Sequence, residues 1–274
     1  MPFKLFDYQS SGKGVSKSAP QKKPFFKYWE IFGRKFWKLI ELNMLYVLFC
    51  IPIITFGPAT AALTHVMRKF ILEQPCFVFD EFFTAFKKNF KQSVFIGIVD
   101  VIMIVSVWIA CFQFLMNESL PDGSLVFICI MICCATLVFI MHFYIYLEIV
   151  ALNLSIGSIL KNAVFLVFLG VKRNFIALII NLVIISLIVL FLPFSVFAVI
   201  FLPLSLMCFT TTFICYPVIQ KYIVNPYYEE RGERNPELGS ITEEDIAENA
   251  VFVDRGGSEK EIKAAPKAHG KVIK

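Results

Sequence analysis

Long apolar runs, separated by short polar segments, dominate the pattern of hydrophobic and polar positions along this chain. A helix that crosses the hydrocarbon core of a bilayer needs about 20 mostly apolar residues, at a rise of about 1.5 Å per residue. Several runs have about that length, and Pro193 separates the last two because proline breaks helices. The five predicted spans cover residues 36–56, 94–115, 125–147, 175–192 and 194–216. The pattern therefore predicts an all-α, polytopic membrane protein.

The distribution of basic residues adds a crossing that hydropathy alone does not show. The turn at 117–124 carries acidic residues and no Lys or Arg, whereas segments 57–92 and 148–174 are basic, as are both ends of the chain. Because short segments rich in Lys and Arg stay in the cytoplasm, the turn lies outside and the basic segments lie inside. The chain must therefore return across the membrane between about residue 55 and residue 72.

A short helix over residues 58–72 is the candidate for that return. Pro58 suits the first turn of a helix, and the small side chains that follow permit close packing against a neighbour. Basic residues near its end can extend to the inner interface. A re-entrant hairpin over residues 45–72 is the alternative, and both interpretations leave the two termini in the cytoplasm. The predicted transmembrane domain, over 31–223, thus has five strong spans plus a short sixth or re-entrant helix.

Two further segments, over residues 79–91 and 153–170, are predicted to lie as helices in the membrane interface. In the first, phenylalanines recur at the spacing of one helical face, and the opposite face is charged. This helix either orients the bundle or docks a partner protein. The residues of the docking interpretation are Phe82, Phe83, Phe86, Lys87, Lys88, Asn89 and Phe90.

Both ends of the chain differ from its apolar body. Residues 1–30 form a basic cytoplasmic segment, which we expect to be attracted to the anionic lipids of the inner leaflet of the bilayer. Residues 224–274 are highly charged and poor in large apolar side chains, so we expect a largely disordered cytoplasmic tail.

Composition excludes whole classes of function. The 274 residues are 58% hydrophobic and 17% charged, with a mean hydropathy of +0.72. Soluble domains average about 45–50% apolar and about 25% charged residues, so the body is neither a soluble enzyme nor a nucleic-acid-binding domain. No phosphate-binding glycine loop, HExxH or GxSxG motif occurs, and the cysteines lack metal-ligand spacing. We therefore expect no enzymatic activity, cofactor, metal or nucleic-acid partner.

Ionisable side chains in or beside apolar runs are candidates for a functional site. A charge at the bilayer centre costs at least about 2.5–3.5 kcal/mol and needs a physical reason. The candidates are Glu41, His65, Asp100 and His142. A proton or ion relay through them is one hypothesis. A hydrogen-bonded structural role is the alternative that we favour, because relays usually have more ionisable residues facing one cavity.

A run near the first predicted turn resembles the signature of a known family. It comprises an Asn-x-x-Tyr pair followed by Pro-x-x-Thr-x-Gly-Pro-Ala-x-Ala-Ala. The residues are Asn43, Tyr46, Pro52, Thr55, Gly57, Pro58, Ala59, Ala61 and Ala62. This run resembles the YesL-like family of bacterial integral membrane proteins of unknown function. The similarity continues through residues 81–93 and, more loosely, 160–163.

The resemblance implies a helical protein of the bacterial cell membrane, often encoded beside carbohydrate ABC importers, and it supplies no catalytic residue or substrate. We therefore expect a non-enzymatic accessory or regulatory component of carbohydrate uptake. Its expected partners are the permease subunits of an ABC importer or another membrane protein. The alternative is a small secondary transporter or channel that uses Asp100 and the membrane-embedded histidines.

Overall fold

The computed structural model describes residues 23–116, 124–152 and 154–232, together with residues 235 and 237. Most of the predicted N-terminal segment, the turn after residue 116 and the tail beyond residue 237 lie outside the described residues. The chain divides into two units, Met1–Glu233 and Arg234–Lys274. In the second unit, the Glu237 backbone N–H donates to Asn235 Oδ1 at 2.9 Å. Every α-helix among the described residues belongs to the first unit.

Nine α-helices make up the described part of the first unit, and none of its described residues forms a strand. They are α1 (Pro24–Cys50), α2 (Phe56–Ile71), α3 (Val78–Met116), α4 (Ser124–Ala151), α5 (Ile156–Leu169), α6 (Val171–Leu190), α7 (Ser195–Phe201), α8 (Pro203–Ile219) and α9 (Asn225–Arg231). A 3₁₀ turn at Ile53–Thr55 precedes α2, and a π-helical turn at Gln220–Val224 joins α8 to α9. The predicted all-α class is confirmed for this part of the chain.

Four segments of the described chain are long and apolar enough to cross a membrane. They are Val78–Ala110, Val126–Ala151, Val171–Leu190 and Pro203–Arg231. Their presence supports a multi-pass membrane protein. The first two helices are not among them, because α2 has only 16 residues and α1 carries charged side chains along much of its length.

The short helix α2 lies at the centre of the helices of the first unit. Eleven of its 16 residues are buried, and α1, α3, α4 and α8 all pack against it. Its first half is rich in small residues, with Ala59, Ala61 and Ala62 completely buried. Because small side chains let helix backbones approach closely, α2 can have neighbours on all sides.

A glycine pair sets the distance between α2 and α3. A Cβ atom on Gly57 would lie 2.0 Å from the Ser93 carbonyl oxygen, and one on Gly97 would lie 2.6 Å from the Gly57 Cα. Real Cβ atoms essentially never approach another heavy atom this closely. Since the other end of α2 contacts Glu81, α2 runs antiparallel along the first half of α3. Residues 98–116 continue past the start of α2 for about 28 Å.

The segment predicted as a separate interfacial helix is the first part of α3. The structure joins residues 79–91 and 94–115 in one helix, instead of an interfacial helix followed by a span. The middle of its aromatic face is covered by the protein: the Phe49 ring of α1 lies 5.4 Å from the Phe82 ring and 5.1 Å from the Phe86 ring, between centroids. A face buried in this way needs no lipid interface. The other predicted interfacial segment corresponds to α5.

The last predicted span is interrupted at Leu202. The buried Asn43 forms hydrogen bonds with backbone groups on both sides of this break. Asn43 Nδ2 donates to the carbonyl oxygens of Val199 and Ile200, both at 2.8 Å. Its Oδ1 accepts from the Ser205 N–H at 2.7 Å. One side chain thus satisfies carbonyls at the end of α7 and an N–H at the start of α8, groups that helix ends leave without partners.

We predict that Gly57→Ala lowers the free energy of unfolding by about 3 kcal/mol, at the upper end of overpacking effects, because its methyl group would collide with the α3 backbone. Thermal unfolding of the purified protein in detergent measures this. Gly33→Ala is the matched control, since a Cβ there meets nothing within 4 Å. The control should be neutral or stabilising by about 0.5–1 kcal/mol. Equal melting temperatures for the two variants would contradict the prediction.

Candidate functional site

Asp100 and His142, two of the four predicted intramembrane residues, are in direct contact. Asp100 lies on α3, is 6% exposed, and forms a hydrogen bond through Oδ1 with Nε2 of His142 on α4. Its Oδ2 accepts a hydrogen bond of 2.5 Å from Tyr146 Oη, one turn after His142. Both oxygens of this buried carboxyl group are therefore paired within the protein.

The hydrogen bonds define the net charge of the Asp100–His142 pair. His142 Nδ1 lies 2.6 Å from the Val138 carbonyl oxygen, which can only accept, so Nδ1 carries a proton. The hydrogen bond between Nε2 and Asp100 Oδ1 then requires one proton between these atoms. Aspartate beside imidazolium and aspartic acid beside imidazole are both neutral as a pair. A neutral pair avoids the cost of an isolated charge in the bilayer.

Tyr146 is the member of this cluster that the sequence reasoning missed. It follows His142 by four residues, and residues at that spacing are neighbours on one helical face. A tyrosine hydroxyl in an apolar environment usually finds a hydrogen-bond partner. That spacing in an apolar run is the signal that would have identified it.

Glu41 and His65 lie outside this cluster. Glu41 is exposed on α1. His65 Nε2 lies 3.2 Å from Glu81 Oε2, and Lys69 Nζ donates to Glu81 Oε1 at 2.5 Å. These contacts join the end of α2 to the start of α3. The structure therefore brings together Asp100 and His142, but not the set of four.

A second group of charges ties α1 to the loop between α2 and α3. Arg34 Nη2 donates to Glu73 Oε2 at 2.6 Å, and Lys38 Nζ donates to the Cys76 carbonyl oxygen at 3.1 Å. The hydrogen bond to Glu73 raises the pKa of Arg34 above its ordinary value. These charges and the Glu81 contacts lie at the same end of the bundle, because Glu73 and Cys76 connect α2 to α3.

A second buried carboxyl group, Glu148 on α4, was not among the predicted residues. Its Oε2 accepts a hydrogen bond of 3.3 Å from Asn162 Nδ2 of α5. Its Oε1 has no hydrogen-bond partner in the part of the chain that the structure describes. The predicted span ended at residue 147, and a glutamate directly after an apolar run is the ordinary pattern of a helix end. The burial of Glu148, which is complete in the structure, could therefore not be predicted from the sequence.

The residues of the family signature position α1 against α2. Tyr46 Oη lies 3.2 Å from Thr60 Oγ1, and Thr55 Oγ1 donates to the carbonyl oxygens of Phe49 and Pro52 at 2.5 and 2.7 Å. The remaining members are buried in α2: Gly57, Pro58, Ala59, Ala61 and Ala62. Together with Asn43, these residues build the hairpin between α1 and α2.

The residues proposed to dock a partner face largely into the protein itself. Phe82, Phe86 and Asn89 are buried, Phe83 and Phe90 are half-buried, and Lys87 and Lys88 are exposed. Lys87 Nζ lies 4.2 Å from the centroid of the Phe83 ring. Most of these aromatic side chains therefore contribute to the core, and Lys87 and Lys88 are the exposed members of the set.

The described residues contain no group of three or more His, Cys, Asp or Glu side chains arranged to hold a metal ion. The Asp100 cluster can shift a proton between a carboxyl and an imidazole group. Its oxygens are already occupied by His142 and Tyr146, so a ligand would have to displace one of them.

Residues 39–111 match the model of a family described as a protein of unknown function, DUF624. The match begins in α1, includes α2 and ends in α3, so it contains the signature residues and the contact between Gly57 and Gly97. YesL-family proteins are known to contain this domain, which agrees with the resemblance found in the sequence. Comparison with curated proteins and with solved structures gives no match.

We predict that Tyr146→Phe lowers the free energy of unfolding by about 1–3 kcal/mol, because it leaves Asp100 Oδ2 buried without a donor. Tyr227→Phe is the control, since Tyr227 is 48% exposed. Unfolding in detergent, followed by tryptophan fluorescence, measures both variants. If Tyr146→Phe is as stable as its control, the hydrogen bond does not contribute to stability.

The same cluster predicts an order of stability for two variants of Asp100. Asp100→Asn keeps a polar side chain that can bond to His142 and Tyr146, whereas Asp100→Leu leaves both without a partner. We expect Asp100→Leu to be the less stable variant by about 1–3 kcal/mol for each group left unpaired. The same unfolding measurement tests this, and the reverse order would contradict it.

Proposed function

We propose that this chain is a non-enzymatic integral membrane protein that acts by binding another membrane protein, as an accessory or regulatory component of carbohydrate uptake by an ABC importer. The observation that carries the proposal is the exposed apolar surface of α3 and α4, which the other helices of the bundle leave largely uncovered. In this proposal the protein lies in the bacterial cell membrane with both termini in the cytoplasm. The basic segments on either side of the predicted spans support that orientation.

The hairpin surface, defined as residues 98–112 of α3 and 126–137 of α4, has few contacts with the rest of the bundle. Only 6% of the most apolar part of α4 is buried, against 44% for the segment that contains α8. Many of its large side chains are exposed, with Trp108 at 65% and Phe127 at 72%. A helix pair so weakly packed against its own bundle offers its faces to lipid or to the helices of another protein.

The aromatic side chains of the hairpin surface suit a helix contact within the bilayer. Helices in lipid associate through close packing of side chains, because the lipid is as apolar as the protein. The Trp108 and Phe112 rings are stacked, with centroids 5.6 Å apart. Such a pair presents a rigid shape that a neighbouring helix can match. The choice of an ABC importer as partner is supported by the family resemblance.

The contact between Asp100 and His142 favours a second candidate function, that of a small proton-coupled transporter or channel. A proton shared between a carboxyl and an imidazole group inside apolar helices is an arrangement that proton relays use. Against it, both oxygens of Asp100 are occupied by neighbouring side chains, whereas a transport site needs groups directed at its ligand. We therefore keep partner binding as the first proposal.

Co-purification from native membranes tests the first proposal. We expect recovery of an importer permease with the wild-type chain, and about tenfold lower recovery with Trp108→Ala plus Phe127→Ala, equivalent to about 1.4 kcal/mol of binding free energy. The control is Phe191→Ala plus Phe194→Ala, which also removes two exposed aromatic side chains, at 59% and 80% exposure. Equal recovery with both double variants, or no permease with the wild type, would reject the hairpin surface as the interface.

Liposomes containing only the purified protein test the second candidate. Proton flux that the wild type supports and Asp100→Asn abolishes would favour a transporter. The co-purification variants serve as the comparison, because loss of the hairpin aromatic residues should leave such flux intact.

A further inference from the structure

A cleft of about 400 Å³ opens between the start of α6 and the end of α8, and none of its lining residues belongs to the Asp100 cluster. Gly170 of the α5–α6 turn and Pro217 of α8 form part of its wall. Lys172, Arg173 and Lys221 bring three positive charges to it from two separate helical segments. None of the described residues that line the cleft is acidic.

These three basic groups have no acidic partner among the described residues. Arg173 Nη1 lies 3.5 Å from the Ile214 carbonyl oxygen, and Lys221 Nζ lies 5.2 Å from the centroid of the Tyr222 ring. Elsewhere in the bundle, basic groups meet carboxylates, as Lys69 meets Glu81. Because like charges repel, a bound anion between these side chains would be stabilised.

Residues 171–173, in the first turn of α6, line the same cleft. This helix has 20 residues, begins at Val171, and has no side-chain cap on its first turn. The N–H groups at a helix start carry partial positive charge and bind phosphate and carboxylate groups well. Asn174 lies in this turn but faces inward, where its Nδ2 donates to the Val167 carbonyl oxygen at 2.9 Å.

The α5–α6 turn is held in one position. A Cβ atom on Gly170 would lie 2.4 Å from Tyr144 Oη, so the turn packs directly on that side chain. Tyr144 Oη in turn donates to Asn174 Oδ1. Lys172 and Arg173 are therefore carried by a backbone that is fixed against α4.

Exposed apolar side chains continue from the cleft along α6, with Phe175 at 62% and Ile176 at 52%. A lipid can place its headgroup in the cleft and its acyl chains along this strip. Basic pockets between transmembrane helices are suited to anionic headgroups. We infer that the cleft binds a phosphate group, carried by an anionic phospholipid or by free phosphate. This inference does not depend on the proposed function.

Binding of fluorescent phosphatidylglycerol to the full-length protein, purified and delipidated in neutral detergent, tests the inference. Lys172→Gln plus Lys221→Gln should weaken binding about 25-fold, at about fivefold for each charge removed. This variant also removes the contact of Lys221 with the Tyr222 ring. The control is Lys87→Gln plus Lys88→Gln, which removes two exposed charges, one of them above an aromatic ring as in the cleft. The control should bind as the wild type does.

Competition with inorganic phosphate distinguishes the two sources of the ligand. Displacement of the lipid by millimolar phosphate, absent for chloride at equal ionic strength, would show that the cleft also takes the free anion. Binding of the lipid without such displacement would assign the cleft to a headgroup. Undiminished binding in the Lys172 and Lys221 variant, an equal loss in the control, or no binding by the wild type would each overturn the inference.

Discussion

The backbone contact between Gly57 and Gly97 is the constraint on which the rest of the structure depends. In lipid, helices gain little from burying apolar surface, so close packing must hold them together. The glycine pair lets α2 approach α3 to a distance that any side chain would prevent. Because α2 is short, small-sided and buried, α1, α4 and α8 can then pack on its other faces. The α1–α2 turn and the Asn43 contacts with α7 and α8 both follow from the place of α2.

The same contact positions the polar cluster. Asp100 follows Gly97 by three residues, so it lies on nearly the same face of α3, just past the start of α2. There α4 takes the place of α2 as the neighbour of α3, and it supplies His142 and Tyr146. The cluster thus joins α3 to α4 where the small-residue packing ends. Its neutral pairing explains how a carboxyl group is accommodated between apolar helices.

Local patterns predicted the helical class, the longest apolar helices and the break near Pro193, because each depends on residues close in sequence. They did not predict that residues 79–91 continue into α3. The phenylalanine periodicity fits a lipid interface or a protein core equally well, and the choice depends on Phe49, more than 30 residues away. The pairing of Asp100 with His142 and the burial of Glu148 under α5 likewise depend on helix contacts that no local spacing reveals.

The helix lengths bear on the two interpretations of residues 45–72. The α1–α2 turn lies beside Gly97, and α3 continues beyond that level for about 28 Å, close to the hydrocarbon thickness of about 30 Å. A bilayer that covers the exposed apolar part of α3 and α4 therefore extends well past the turn. The charged contacts of Glu73 and Glu81 lie at the opposite end of α2. The exposed apolar part of α3 and α4 and the charged end of α2 thus lie on opposite sides of the level of the α1–α2 turn. The basic residues at both ends of the chain predict an even number of crossings.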